Sequence, residues 1–341
     1  MAIDLTDGTS PARANAAGSA PGRAALAALK APSIFNSQPW RWRLHDGVAE
    51  LWLERERQLK SVDPEGRLAT LSCGIALHHA GTALRALGYL PRIDRFPDPA
   101  HADLLAVLGE GAAHRPTPRD LRDAQTLRVR RTDRRPYDSE RAIPAGQLAT
   151  VRDAAESCGG HLHVLRDEQV PVLTVAASRA AQDELSDPAY RDELNVWTHR
   201  PAASGDGVPT DTAVRAVPRR VPVRDFAPAE PGLPAGEGTD RHATYAILFT
   251  DRDDQHGWLT AGEALSAGLL QATMLGISAN PISDVIEVPA ARHILSTMLL
   301  SGIGFPMLAL RMGFHEATSG VPDTPRRDPE DVVETIDRPP R

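Results

Sequence analysis

Two clusters in this chain carry side chains whose types and spacing suit chemistry. The first is Ala31–Leu44, Ala-Pro-Ser-Ile-Phe-Asn-Ser-Gln-Pro-Trp-Arg-Trp-Arg-Leu. Pro32 and Pro39 lack amide donors and bias the residue before each toward extended backbone, so the loop is stiff. Along it Ser33, Asn36, Ser37 and Gln38 present hydrogen-bonding groups, a set suited to a flat ligand with polar edges. An ordinary helix-to-strand connection fits the same residues equally well. The second cluster is Arg130–Tyr137, Arg-Arg-Thr-Asp-Arg-Arg-Pro-Tyr, the densest basic run in the chain. Guanidinium forks grip phosphate oxygens in bidentate fashion. Alone, such a run reads as a solvated charged face, and Asp133 inside it tempers the charge by pairing with a neighbour.

Other candidates are weaker. His161 and His163 share a face of one predicted strand with no third ligand nearby, and His78 and His79 are adjacent on a helix and cannot share a face. Both pairs read as packing or surface histidines rather than metal ligands. Gly109-x-Gly111 and Gly302-x-Gly304 lack the third glycine and the strand–turn–helix setting of a dinucleotide fingerprint. No serine nucleophile elbow is present.

The scaffold that must hold these groups has 341 residues, enough for one large or two ordinary domains, and 41% hydrophobic with 24% charged content is globular. A net charge of −7 gives no basic footprint for nucleic acid. Lys30 and Lys60 are the only lysines, which leaves phosphate binding to arginine. Cys73 and Cys158 lie far apart, offer neither a disulfide framework nor metal spacing, and fit a reduced cytoplasm. Met1–Gly22, rich in Ala, Gly, Ser and Pro without an apolar core, reads as a disordered tail rather than a secretory signal. Ala264–Ser283 and His293–Leu310 are charge-free over nearly a membrane span, but their Ser, Gly and Pro content, with Gln271 and Asn280, reads as buried helix plus buried strand.

A helical pattern over Arg23–Lys30 leads into the first cluster, which ends in an alternating strand, Trp40–Leu44. Asp46-Gly47 before Val48–Leu53 predicts a hairpin. A long apolar helix over Leu68–Leu87 is closed by Gly88, and Leu104–Leu108 reads as a buried strand. Ala112–Asp123 is polar and marks a boundary. Pro144–Glu156 is helical, His161–Leu165 a strand, and Leu173–Leu185 and Asp187–Trp197 are helices, the last with Asp187 as N-cap and Pro188 at its first position. Arg200–Asp240 is Pro/Gly-rich, the composition of a lid or a linker. His242–Thr250 is a strand, Trp258–Leu275 a second long helix closed by Gly276, Val288–Leu299 helical, and Pro306–Met312 a final strand. The two long helices superimpose at one constant offset, Leu71 on Leu259, Gly74 on Gly262, Leu77 on Leu265 and Gly88 on Gly276. With the shared order of flanking elements, this indicates duplication of one α+β unit around a pseudo-two-fold axis.

Pro-Ser-Ile-Phe-Asn-Ser-Gln-Pro-Trp resembles the Pro-Ser-x-x-Asn-x-Gln-Pro-Trp motif of the nitroreductase-like FMN flavoproteins. Arg130–Tyr137 resembles their Arg-Arg-Ser-x-Arg-x-Phe motif, Trp258–Gly276 followed by Pro281-Ile282-Ser283-Asp284 their central helix and Pro-Ile-x-Gly turn, and Thr324-Pro325-Arg326-Arg327 their closing segment. The Pro-Ser motif precedes the Arg motif here, and Glu156-Ser157-Cys158-Gly159-Gly160 stands where the second unit would carry its own Pro-Ser loop. That order is similar to the actinobacterial Acg-type branch, a fused pseudo-dimer.

The resemblance implies an α+β nitroreductase-like fold, internally duplicated, with mixed and antiparallel sheets flanked by helices around two long central helices, one chain mimicking a homodimer. The tail would be 1–22, the first half 23–125 and the second 126–341, with a lid at 200–240. It implies one FMN per chain, the phosphate held by Arg130, Thr132, Arg134 and Arg326, the ring and ribityl by Pro32, Ser33, Ile34 and Asn36. Pro281, Ile282, Ser283 and Asp284 would lie at flavin N5, the turn supplying a backbone N–H; no side-chain acid or base is nominated, and Gln38, Trp40 and Trp42 are structural. Thr324 stands where many relatives have Lys, and Ser283-Asp284 replaces Glu-Gly or Gly-Gly. The implied activity is ping-pong hydride transfer from NAD(P)H through FMN to a nitroaromatic, quinone-like or other acceptor, by a cytoplasmic monomer without nucleic-acid or membrane partners. The alternative is an FMN-sequestering protein whose lid closes the site.

Overall fold

Asp46-Gly47 forms the turn its sequence predicts. Asp46 at φ 45° and Gly47 at φ 73° are both left-handed, the type I′ geometry that matches the twist of antiparallel strands. It joins β1 (Trp40–His45) to β2 (Val48–Leu53), with His45 opposite Val48. In the computed structural model the described residues are 18–137, 140–214, 217–226, 232, 238–315 and 321–336; residues 1–17 of the expected tail fall outside them. From Ala20 the chain is already helical, earlier than the pattern at Arg23 suggested, because the Ser19 hydroxyl caps the Gly22 amide at 3.1 Å and starts the helix there.

The first unit runs α1 (Ala20–Ala28), β1, β2, α2 (Arg67–Ala86), β3 (Tyr89–Arg95) and β4 (Leu104–Ala113). A linking helix, α3 (Pro118–Val129), follows. The second unit opens with α4 (Ala145–Glu156) and β5 (His161–Val164), then carries an insertion that includes α5 (Val170–Ser186) and α6 (Pro188–Thr198). It resumes with β6 (Thr244–Thr250), α7 (Gln255–Met274) and β7 (Ser278–Ile282). Two short helices, α8 (Asp284–Glu287) and α9 (Pro289–Ile294), lead through a π-helical turn at Leu295–Leu299 to β8 (Phe305–Gly313). The chain then adds α10 (Pro329–Val332) and β9 (Val333–Thr335).

The duplication is legible in the sheets. One is ordered β3-β4-β2-β1-β9 and the other β5-β6-β8-β7, so β1 to β4 and β5 to β8 occupy corresponding places. All pairings are antiparallel except β1 with β9. The whole insertion with α5 and α6 stands between β5 and β6, where the first unit has only Asp46-Gly47.

Between the sheets α2 crosses α7, and the crossing lies on the repeat. A Cβ on Gly74 would sit 2.1 Å from the Leu259 carbonyl oxygen, and one on Gly262 1.9 Å from that of Leu71. His78 Nδ1 lies 2.8 Å from Ser266 Oγ, a partner 188 residues on. Backbones meet there because neither helix has a side chain to hold them apart. The main apolar core surrounds this crossing and includes Trp40 and Trp42, both fully buried.

Several elements differ from expectation. β3 and β7 carry Pro91 and Pro281, which argue against strands in the sequence; both strands lie at sheet edges, where a missing donor is tolerated. The polar stretch Ala112–Asp123 contains the end of β4 and the start of α3, whose Thr117–Asp120 capping box fixes its first turn. Val288–Leu299 is helical as expected, with extended Val288 as the N-cap before Pro289, but its last turn, Leu295–Leu299, is π-helical. Pro306–Met312 is not the last strand, because β9 returns to the first sheet.

The insertion is pinned at three places. On α6, Glu193 accepts the amides of Lys60, Ser61 and Val62 at 2.6–2.9 Å. Buried Asp206 pairs with Arg57 and Arg200. Asp240, also buried, takes Arg311 Nη1 at 2.6 Å and the Tyr137 amide at 2.8 Å. Of the expected lid, residues 215–216, 227–231 and 233–237 lie outside the described residues. Among the described residues no helix is long and apolar enough to cross a membrane.

Candidate cofactor site

The Pro-Ser loop is held in an unusual shape. Phe35, Asn36 and Gln38 all have positive φ, 47°, 52° and 50°, and side-chain bonds stabilise this otherwise disfavoured backbone. Ser72 Oγ on α2 accepts the Ile34 amide at 3.1 Å, and Ser33 Oγ accepts the Gln38 amide at 2.9 Å. The Gln38 amide group donates to the Gly205 carbonyl at 2.8 Å and accepts from the Arg327 amide at 3.1 Å. Loop, insertion and closing segment are thereby tied by one structural side chain.

Below the loop runs a trough with two compartments. The first, about 370 Å³, is lined by Pro32, Ser33, Asn36, Arg130, Thr132, Arg134, Thr324 and Arg326, and is roofed by Gly207, Val208, Pro209 and Thr212 of the insertion. Arg130 is 6% exposed, yet among the described residues it has no carboxylate partner, its Nη1 reaching only Thr132 Oγ1 at 3.4 Å. Arg326 donates to the Lys30, Thr324 and Pro325 carbonyls and to Asn36 Oδ1. The Nε atoms of both arginines are buried without partners. Burial, then each arginine's basic neighbours, presses Arg130 down to about 9 and Arg326 to about 10; both remain charged at neutral pH. A compartment that concentrates unneutralised guanidinium groups suits a phosphate. Arg135, by contrast, is spent on Asp133 at 2.9 Å.

The second compartment, about 630 Å³, shares Pro32, Ser33, Thr132 and Arg134 with the first. Its floor is apolar: Leu68, Leu71 and Ile75 of α2, Leu265 of α7 and Leu308 of β8. Ile34 and Phe35 line one edge, Pro281 and Ser283 another, and Phe226 of the insertion covers it. A flat ring with polar edges fits such a slot. Asp284 lines the space beyond Ser283, and its Oδ1 accepts the Val285 amide at 2.8 Å. Burial lifts its carboxyl to about 6, which lessens any repulsion of a reduced ring.

Ten of the twelve candidate residues line these two compartments, and Ile282 and Asp284 line the adjoining space. Asn36, expected at the ring or ribityl, lines the first compartment, its Nδ2 donating to the Pro325 carbonyl and its Oδ1 accepting from Arg326. The floor residues carry no mark in the sequence, because Leu68, Leu71 and Ile75 follow ordinary core spacing. Phe226 and Arg224 belong to a stretch with no periodicity to single them out.

At the related place in the other half, the same positions are filled. Ile75 and Ser283 correspond to Glu263 and Arg95, which pair through two bonds of 2.7 and 2.8 Å. Leu68 and Asp284 correspond to His256 and Phe96, whose rings lie in tilted contact with centroids 4.1 Å apart. The Glu156–Gly160 loop lies against α7, where a Cβ on Gly160 would meet that of Ala264 at 2.6 Å. Elsewhere, His161 faces Asp251 and His163 faces Gln169, and no cluster among the described residues has the makings of a metal site.

A duplicated α+β scaffold with a single arginine-ended trough is the architecture of a nitroreductase-like oxidoreductase. No protein-family model matches the chain. A Mycobacterium tuberculosis protein named "Putative NAD(P)H nitroreductase" is 36% identical over 316 residues, covering 90% of this chain and 89% of its own. Another from that organism, "Putative NAD(P)H nitroreductase acg", is 32% identical over 317 residues, 89% of this chain and 92% of its own. The FMN-bound nitroreductase of Bacteroides fragilis aligns over 59% of this chain and 92% of its own at 15% identity, with a TM-score of 0.38. The chain belongs to the Acg-type branch of the NAD(P)H nitroreductase family.

Proposed function

We propose that this chain is an FMN-dependent NAD(P)H oxidoreductase that binds one flavin, works as a monomer in the cytoplasm and passes electrons to a nitroaromatic, quinone-like or related acceptor. The observation that carries the reading is a pair of arginines, buried Arg130 and half-buried Arg326, with buried orphaned Nε atoms and no carboxylate partner among the described residues, at one end of an apolar slot. Bound FMN would supply reversible two-electron chemistry, and the protein position and electrostatics. Arg130, Arg326, Thr132 and Arg134 would hold its phosphate. Ser33 and Ile34 would meet the polar edge of the ring, the α2 leucines would exclude water from one face, and the Pro281–Asp284 backbone would border N5. The halves at 23–125 and 126–341 supply complementary parts of this one site, and the filled counterpart leaves no second.

The same covering favours a second reading. Gly207–Thr212 roof the phosphate end and Phe226 the ring slot, as a protein that sequesters FMN would require. Anaerobic stopped-flow with NADH and NADPH decides between them. Rapid bleaching of the flavin band supports the oxidoreductase. Photoreduction without nicotinamide bleaching supports sequestration, and acceleration on deleting 206–238 identifies the cover as the cause. Purified protein that neither carries nor takes up flavin rejects both.

A further inference from the structure

The trough continues past the ring slot. Between Arg134, Pro281 and Ser283 a third compartment of about 520 Å³ opens, walled by Ile282, by Asp284, whose carboxyl burial raises to about 6, and by Val223 and Phe226 of the insertion. FMN has one phosphate and one ring, matched by the first two compartments; Arg134 lines all three compartments, but Arg219 of the third has no counterpart in FMN. Arg219 lines this space with a side chain 2% exposed. Its Nη1 donates to the Arg134 carbonyl at 2.8 Å, and its Nε is buried without a partner. The carboxylate within reach, Asp240, is 4.0 Å away and already serves Arg311 and the Tyr137 amide. Among the described residues the Arg134 head has only the face of Phe226, 4.7 Å from its centroid. Arg224 differs, since Glu287 neutralises it at 2.7 Å and Glu184 accepts a further hydrogen bond from it at 3.0 Å.

We propose that this third compartment is an anion subsite for the electron acceptor, in which Arg219, backed by Arg134, holds the carboxylate of a flat acceptor whose apolar body rests against Phe226 and Pro281. The inference rests on the flavin reading for the neighbouring ring. A buried guanidinium short of hydrogen bonds gains more from a carboxylate than an exposed one, because no water competes for it. The diphosphate of the nicotinamide donor offers similar charge, and the test separates the two.

4-Nitrobenzoate and 4-nitrobenzamide differ in charge at nearly constant shape. With the FMN-loaded full chain, kcat/KM for the benzoate should exceed that for the benzamide by about tenfold or more, the scale of one hydrogen bond between charged groups. Arg219→Gln should bring this ratio toward one, and Arg219→Lys should restore part of it. A wild-type ratio near one overturns the proposal. So does an unchanged ratio in Arg219→Gln with slower flavin reduction by NADPH, which would give the arginine to the donor. Calorimetric titration with unreactive benzoate and benzamide gives a readout free of turnover: benzoate should bind more tightly, and Arg219→Gln should abolish the difference. Failure of the flavin reading appears instead as missing flavin absorbance, whatever the benzoate result.

Discussion

Gly74→Ala and Gly262→Ala each place a methyl group in a crossing of two backbones. The new Cβ would lie 2.1 Å from the Leu259 carbonyl oxygen in one case and 1.9 Å from that of Leu71 in the other, whereas real contacts keep at least 3.0 Å. Neither neighbour is a side chain that can swing aside, so α2 and α7 must separate by about 1 Å. Overpacking of this kind costs ~1–3 kcal/mol, and backbone against backbone belongs at the upper end. The better helix propensity of alanine returns up to ~1 kcal/mol, leaving a net loss of ~2 kcal/mol. A melting entropy of ~2.1 cal/mol/K per residue converts this to a Tm lowered by ~3 °C for a chain of 341 residues. The control is Gly268→Ala on the same α7, where the nearest atom to the new Cβ is 3.7 Å away, an ordinary contact; its Tm should rise by ~1 °C. Scanning calorimetry reads all three variants. Leu71 and Ile75 flank Gly74 and floor the ring slot, so Gly74→Ala should also weaken flavin retention while Gly268→Ala preserves it. A Gly74→Ala protein melting at or above the parent would refute the backbone crossing and, with it, the structural meaning of the repeat.

Arg130→Ala and Arg326→Ala should each weaken FMN binding by about 10- to 100-fold, the scale of a hydrogen bond between charged groups, measured by fluorescence of released flavin. Arg135→Ala should instead lower Tm with little change in FMN affinity, because it strands Asp133 in the interior; equal affinity losses in all three would mean that the run acts as a diffuse charge patch. Glu184 is raised to about 8, first by burial and then by the Glu287 and Asp284 carboxylates, against the opposing pull of Arg224. Its folded pKa exceeds its ordinary value, so its contribution to stability is full below about 4.5 and falls as pH rises toward about 8. Glu184→Gln, which keeps the protonated shape, should match the parent Tm near pH 4 and exceed it increasingly up to pH 9; an equal difference at both values would reject a proton on this carboxyl. Arg95→Ala should lower Tm without admitting a second flavin, since the Phe96–His256 ring contact remains; two flavins per chain by absorbance would show that the ion pair alone blocks that half.

The parts of this protein that its sequence displays are those governed by local chemistry. Asp46-Gly47, the Asp187-Pro188 cap and the glycines ending both long helices specify backbone directly, and each forms as read. Read alone, the Pro-Ser loop fits a connection equally well and the Arg130–Tyr137 run a charged face; the resemblance of several motifs taken together is what singles out them and Arg326. The ring floor is not singled out, because Leu68, Leu71 and Ile75 would look the same facing a protein core. The edge strands β3 and β7 are hidden by prolines whose tolerance depends on what lies beside them. Arg219 and Arg224 sit in an aperiodic insertion, and only the fold brings them to the trough.

Arg326 reaches the phosphate end from far along the chain, and β9 then secures that segment by pairing in parallel with β1, Leu44 opposite Thr335. The ring floor on α2 and the Pro-Ser loop belong to residues synthesised early. A ribosome must therefore read past residue 326 before the second orphaned arginine exists, and past 335 before its anchor can form. On the proposed site, full flavin capture would wait for residue 326, and a nascent chain halted at the end of β8 would carry β1 to β8 without β9 and only part of the phosphate grip.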